Sequence, residues 1–150
     1  NLGTIPVPSF FLFAVNTGGS SSTKFLVGTS ASSSDRFCRV SLQAMAQNWG
    51  VLLTGTSGEV ATGKHSLGYL VNDTASKNVL DGTSILTGDA DNTQLDMSGG
   101  RIGSAAVGTT NWLNNAGNSL SEVIIFGSDP TGLAGWADFV TAQKAYFGIS

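Results

Sequence analysis

Apolar residues in this chain recur at every second position over short stretches, and Gly, Ser, Thr and Asn separate those stretches. A period of two is the signature of β-strands, whose side chains alternate between two faces. In SFFLFAV (9–15) both alternating sets are apolar: Phe11, Phe13 and Val15 on one face, Phe10, Leu12 and Ala14 on the other. Such a segment predicts a central strand covered on both sides. Further strands are predicted at KFLVGTS (24–30), RFCRVSLQA (36–44), WGVLLTG (49–55) and SLGYLVND (66–73). KNVLDGTSIL (77–86) reads as a tight hairpin, because Asp81-Gly82 tolerates the positive φ angles of a two-residue type I′ turn. GGRIGSA (99–105) and SLSEVIIFG (119–127), the latter with the apolar run Val123 to Phe126, complete the series.

The period then changes. Leu133, Trp136, Ala137, Val140 and Phe147 fall on one stripe at helical spacing. Asp129 or Thr131 is suited to cap this helix, and Pro130 to its first turn, where a missing N–H costs nothing. Gly148 suits the left-handed position just past its end, with Ile149 folding back onto apolar surface. About eight or nine strands at this spacing predict an all-β, antiparallel two-sheet jelly-roll sandwich with one C-terminal α-helix, packed on its outside. No repeat or linker interrupts residues 1–150, so a single domain is expected.

Composition narrows the setting. Charged residues are 11% and the formal net charge is −3, with Lys24, Arg36, Arg39, Lys64, Lys77, Arg101 and Lys144 scattered along the chain. Binding a phosphate backbone needs clustered cations, so nucleic acid is not an expected partner. IPVPSFFLFAV (5–15) is the most hydrophobic stretch; it is far short of the roughly 20 residues that cross a bilayer. A neutral surface rich in Ser, Thr, Asn and Gly suits an exported or virion-surface protein. The first residue is Asn rather than Met, which places the start after processing or inside a longer polypeptide. Cys38 is the lone cysteine and alternates with Val40 and Leu42, which predicts a buried apolar role.

Reactive chemistry finds few candidates. Two carboxylates flanking a glycosidic bond are the usual hydrolytic pair. Glu59 and Glu122 are the only glutamates and neither has an acidic partner two positions away. Glu122 is expected at a strand start, solvated or bonded to backbone. His65 is the only histidine, with no nucleophile-elbow motif near any serine, and one His with one Cys is too few for zinc. TGDADNTQLD (87–96) collects Asp89, Asp91, Asn92 and Asp96, hard oxygen donors that form an acidic turn or a calcium site. GTTNWLNNAGNS (108–119) surrounds Trp112 with Asn111, Asn114 and Asn115. An aromatic ring among amides either plugs the end of the sandwich or recognises carbohydrate.

The strand containing Leu120, Glu122, Val123, Ile124, Ile125 and Phe126, then a polar link and a helix ending in Tyr146-Phe147-Gly148-Ile149, resembles the C-terminus of concanavalin-A-like, laminin-G-type jelly rolls of phage and bacterial exported proteins. SFFLFAV, GKHSLGYLV (63–71), KNVLDGTSIL and GGRIGS are similar to other pieces of that family and fall in its order, although Lys64-His65 stand where it has Trp. The resemblance implies the jelly-roll fold over residues 10–150. It also implies that strands and a loop usual before SFFLFAV are missing, leaving a sheet edge for a neighbour to cover. From these readings the expected function is a non-enzymatic virion or surface structural module, a decoration-type protein that packs against other chains of its assembly. The alternative is a lectin-like carbohydrate-binding module or receptor-binding tip.

Overall fold

The computed structural model describes residues 4–18, 24–28, 37–41, 43–90, 95–96, 100–103 and 117–150. Its strands are β1 (Thr4–Ile5), β2 (Ser9–Thr17), β3 (Lys24–Gly28), β4 (Phe37–Ser41), β5 (Ala44–Asn48) and β6 (Leu52–Thr54), then β7 (Gly63–Val71), β8 (Ser76–Leu80), β9 (Thr83–Gly88), β10 (Leu95–Asp96), β11 (Arg101–Ile102) and β12 (Ser119–Phe126). One helix, α1 (Trp136–Phe147), follows. The strands form one sheet in the order β12-β2-β7-β8-β9 and a second in the order β11-β3-β4-β5-β6, with β1 and β10 as a separate ribbon. Every pairing between these strands is antiparallel. The chain runs from one sheet to the other between β2 and β3, between β6 and β7, and again between β9 and β12 by way of β11. This is the expected two-sheet sandwich with a terminal helix.

The two apolar faces of β2 explain its place. Phe11, Phe13 and Val15 point into the core between the sheets, where they meet Leu67, Tyr69, Leu26, Cys38, Val40 and Met45. Phe11 stacks on Trp49 with ring centroids 5.5 Å apart, and Phe13 meets Tyr69 edge-on at 6.0 Å. Phe10 and Leu12 point the other way, beneath α1, into a second cluster with Leu70, Val79, Trp136 and Val140. The helix thus replaces water over the outer face of the first sheet. Polar bonds also cross the main core: Gln47 Nε2 on β5 donates to Asn78 Oδ1 on β8 at 2.9 Å, Asn78 Nδ2 donates to the Met45 carbonyl at 3.1 Å, and the Tyr69 hydroxyl on β7 donates to the Arg39 carbonyl on β4 at 2.9 Å.

Glycine makes room for the helical layer at two points. A Cβ on Gly68 would lie 2.3 Å from Phe10 Cζ, so the phenyl ring lies directly over this glycine. In the hairpin, Asp81 and Gly82 have φ of 50° and 89°, as a type I′ turn requires. A Cβ on Gly82 would lie 2.6 Å from Val140 Cγ1, so the turn is also a seat for α1.

Several expectations need correction. RFCRVSLQA is not one strand but β4, which ends at Ser41, and the start of β5, with Gln43 just before it at φ 60°. WGVLLTG yields only β6, because Gly50 at φ 144° bends the chain while Trp49 turns into the core. The helix begins at Trp136, not near Pro130. Asp129 Oδ1 accepts from the Thr131 N–H at 2.9 Å and from its hydroxyl at 2.6 Å, closing a side-chain turn instead of capping a helix. Leu133 therefore precedes α1 and is 64% exposed, and Ala137 is exposed, while Gln143 joins the buried stripe. The C-terminal reading holds: Gly148 is left-handed at φ 66°, and the Ile149 N–H donates to the Lys144 carbonyl at 2.9 Å.

Candidate functional site

The register of the first sheet places three residues in a row on its outer face. Glu122 of β12 pairs with Ala14 of β2, and Ala14 pairs with Ser66 of β7. The central member is the small one, and the gap above it is where the helix sends down Gln143. This amide is 5% exposed; Oε1 accepts from Ser66 Oγ at 2.7 Å, and Nε2 donates to Glu122 Oε2 at 2.8 Å. The chain of bonds continues to the β8–β9 hairpin. Asp81, held in its turn by positive φ, accepts from the Ser66 N–H at Oδ1 (2.8 Å) and pairs through Oδ2 with His65 Nδ1 at 2.9 Å. The Asp81 hydrogen bond raises the His65 pKa above its ordinary 6.5 against the opposing effect of burial. From the sequence Glu122 is expected to be solvated or bonded to backbone; instead a helix amide, Gln143 Nε2, orients its carboxylate.

Beside this network the helix and edge strand leave a groove, divided by Phe139. One half, about 230 Å³, is lined by Phe126, Pro130, Leu133, Gly135, Trp136 and Phe139 and is almost wholly apolar. Aromatic packing stiffens it: Trp136 stacks on Phe139 at 5.6 Å, and Phe126 meets Phe139 edge-on at 6.1 Å. The other half, about 310 Å³, is lined by Glu122, Phe139, Ala142, Gln143, Tyr146 and Phe147. Tyr146 is 84% exposed and braced edge-on by Phe147 at 4.9 Å. At the far end of the groove Lys77 Nζ pairs with Asp129 at 2.7 Å and fixes the segment leading into α1. Burial disfavours the Asp129 carboxylate, but hydrogen bonds from Lys77 and Thr131 outweigh it and hold the carboxyl below its usual range.

Such a groove offers ring faces for C–H stacking and an oriented acceptor for hydroxyl groups. The sequence singled out other residues. Asn111, Trp112, Asn114 and Asn115 fall outside the described residues, as do Asp91 and Asn92. Asp89 follows β9 on the surface, and the backbone of Asp96 pairs with Thr4. Among the described residues no group of three or more His, Cys, Asp or Glu side chains is placed to hold a metal ion. Cys38 is fully buried, and burial pushes its thiol pKa well up. No helix of the described residues is long and apolar enough to cross a membrane.

No protein-family model matches the sequence, and no curated protein matches it. The fold does match solved structures. Trypanosoma rangeli sialidase in complex with sialic acid superposes with a TM-score of 0.61 at 11% identity over 95% of this chain. The same sialidase as a covalent intermediate with 2,3-difluorosialic acid gives 0.59 at 12% identity, and with 2,3-difluoro-KDN 0.57 at 13%. The match spans about a quarter, 24%, of each sialidase chain. At this identity the likeness is one of fold.

These neighbours overturn the expectation of a chain with no enzymatic role. The same sandwich occurs within chains that are glycosidases. The expectation came from the missing carboxylate pair along one strand. That test fails physically, since catalytic groups are brought together through space and some glycosidases use a tyrosine nucleophile in place of a second carboxylate.

Proposed function

We propose that the chain is a saccharide-recognising sandwich that serves a glycosidase, and that sugar lies in the groove between α1 and β12. The observation that carries this reading is the Tyr146 ring, 84% exposed, beside a Glu122 carboxylate that Gln143 holds in place. A sugar ring offers an apolar C–H face and a rim of hydroxyls, and the groove offers the complement of each. The concanavalin-A-like kinship belongs to this reading, supported by the strand order of the two sheets. The loop with Asn111, Trp112, Asn114 and Asn115 is a second sugar contact in the same proposal. The test is a glycan array probed with the whole chain and with Tyr146→Ala. Saccharide binding weakened about tenfold by loss of the ring, with unchanged melting temperature, is the expected result. An array without binders, or binding indifferent to Tyr146→Ala, overturns it.

Exposed Ile125 on the edge strand and Leu133 before the helix favour a second reading, a packing surface within a virion or surface assembly. In that case the isolated chain self-associates in size-exclusion chromatography, and Ile125→Lys restores a monomer.

A further inference from the structure

Beyond the end of α1 the outer face of the first sheet continues with another row: Ser119 of β12 pairs with Asn16 of β2, which pairs with Lys64 of β7. These three, with Ser121 and Phe147, line a small cavity of about 80 Å³. Ser121 reaches it because β12 bulges there: Leu120 pairs with Val15 and Glu122 with Ala14, leaving Ser121 as the extra residue. The Lys64 side chain is exposed and makes no ion pair or hydrogen bond among the described residues. Its ammonium lies against the helix C-terminus, 3.3 Å from where a Cβ on Gly148 would stand.

We propose that this cavity binds the carboxylate of an acidic saccharide whose ring lies in the Tyr146 groove. The inference rests on the saccharide reading above and names the class of ligand. Four features carry it. Among the described residues no carboxylate lines the cavity, while an ammonium, two hydroxyls and the Asn16 amide, whose Nδ2 also donates to the Gly117 carbonyl at 2.8 Å, do. At about 80 Å³ the cavity is roughly a third of one groove half and a quarter of the other, which suits a substituent of carboxylate size beside a ring held in the groove. Phe147 lines both this cavity and the larger half of the groove, so the two adjoin across its ring. Finally, the two ends carry opposite charge. Glu122 accepts from neutral hydroxyls at one end and Lys64 attracts an anion at the other, which orients the ligand along the helix.

The test uses an array of matched pairs, each carboxylated saccharide beside its methyl ester, probed with the whole chain, Lys64→Gln and Tyr146→Ala. The carboxylated member of a pair binds about tenfold more tightly, as a charge-assisted hydrogen bond implies. Lys64→Gln removes that preference and leaves binding of the ester, whereas Tyr146→Ala weakens both. Equal binding of acid and ester, or a preference that survives Lys64→Gln, overturns the carboxylate subsite and leaves the groove reading standing. If no saccharide binds at all, both fall together.

Discussion

Replacing Gln143 with Leu removes the side chain that, among the described residues, ties helix to sheet through polar bonds. Ser66 Oγ, on a residue 2% exposed, loses its acceptor and has no other among the described residues. A buried hydroxyl left without a partner costs about 1–3 kcal/mol. Glu122 is half-buried, so its freed oxygen turns to water and costs about 0.5–1 kcal/mol. Leucine keeps the volume near that of glutamine, so no large cavity term is added. The net expectation is a loss of about 2–3 kcal/mol, a sizeable share of the roughly 5–15 kcal/mol that holds a domain together. Urea unfolding followed by tryptophan fluorescence reads this directly, since Trp136 lies on the same helix face as Gln143. The companion variant Ser66→Ala removes the orphaned hydroxyl itself. The double variant should then cost about 1–2 kcal/mol less than the sum of the singles. Additivity within about 0.5 kcal/mol would refute the claim that these two groups depend on each other.

Three further outcomes are expected. Gly68→Ala drives a methyl group into Phe10 and should destabilise by about 1–3 kcal/mol in the same assay; a neutral effect would show that the ring does not lie over the glycine. Because the folded pKa of His65 is raised, its contribution to stability is full below the unfolded value near 6.5 and is lost as pH rises through the folded value. The melting-temperature advantage of wild type over His65→Gln should accordingly be larger at about pH 5.5 than at about pH 8.5, and an advantage constant across that range would contradict the Asp81 pairing. Cys38, fully buried, should resist a thiol reagent in the folded chain and react at once in denaturant, whereas rapid labelling without denaturant would place it on the surface.

Much of the architecture was legible because it follows from local chemistry. The two apolar faces of β2 announced a strand covered twice, and Asp81-Gly82 announced its hairpin. Gly148-Ile149 marked the helix end. The failures share a different cause. Between β4 and β5 no Gly, Asn or Asp signals a reversal; Gln43 takes a positive φ there, and its carbonyl accepts from the distant Val60 N–H at 2.8 Å. Pro130 suggested a helix start, but Asp129 satisfied Thr131 locally and the helix waited until Trp136. The candidate site was hidden for a related reason. Glu122, Ala14 and Ser66 are distant in sequence and become one row only through strand register. Gln143 looks like a surface residue until that row provides its partners. Tyr146 belongs to a C-terminal signature, and nothing local shows that its ring stays in solvent.

The measurement that bears most directly on the saccharide groove is a two-dimensional amide NMR titration of the isotopically labelled chain with its strongest array binder. Shift changes centred on Glu122, Phe139, Gln143 and Tyr146, saturating with added saccharide, are the predicted result. Changes that leave these four residues untouched and gather at another surface would contradict it.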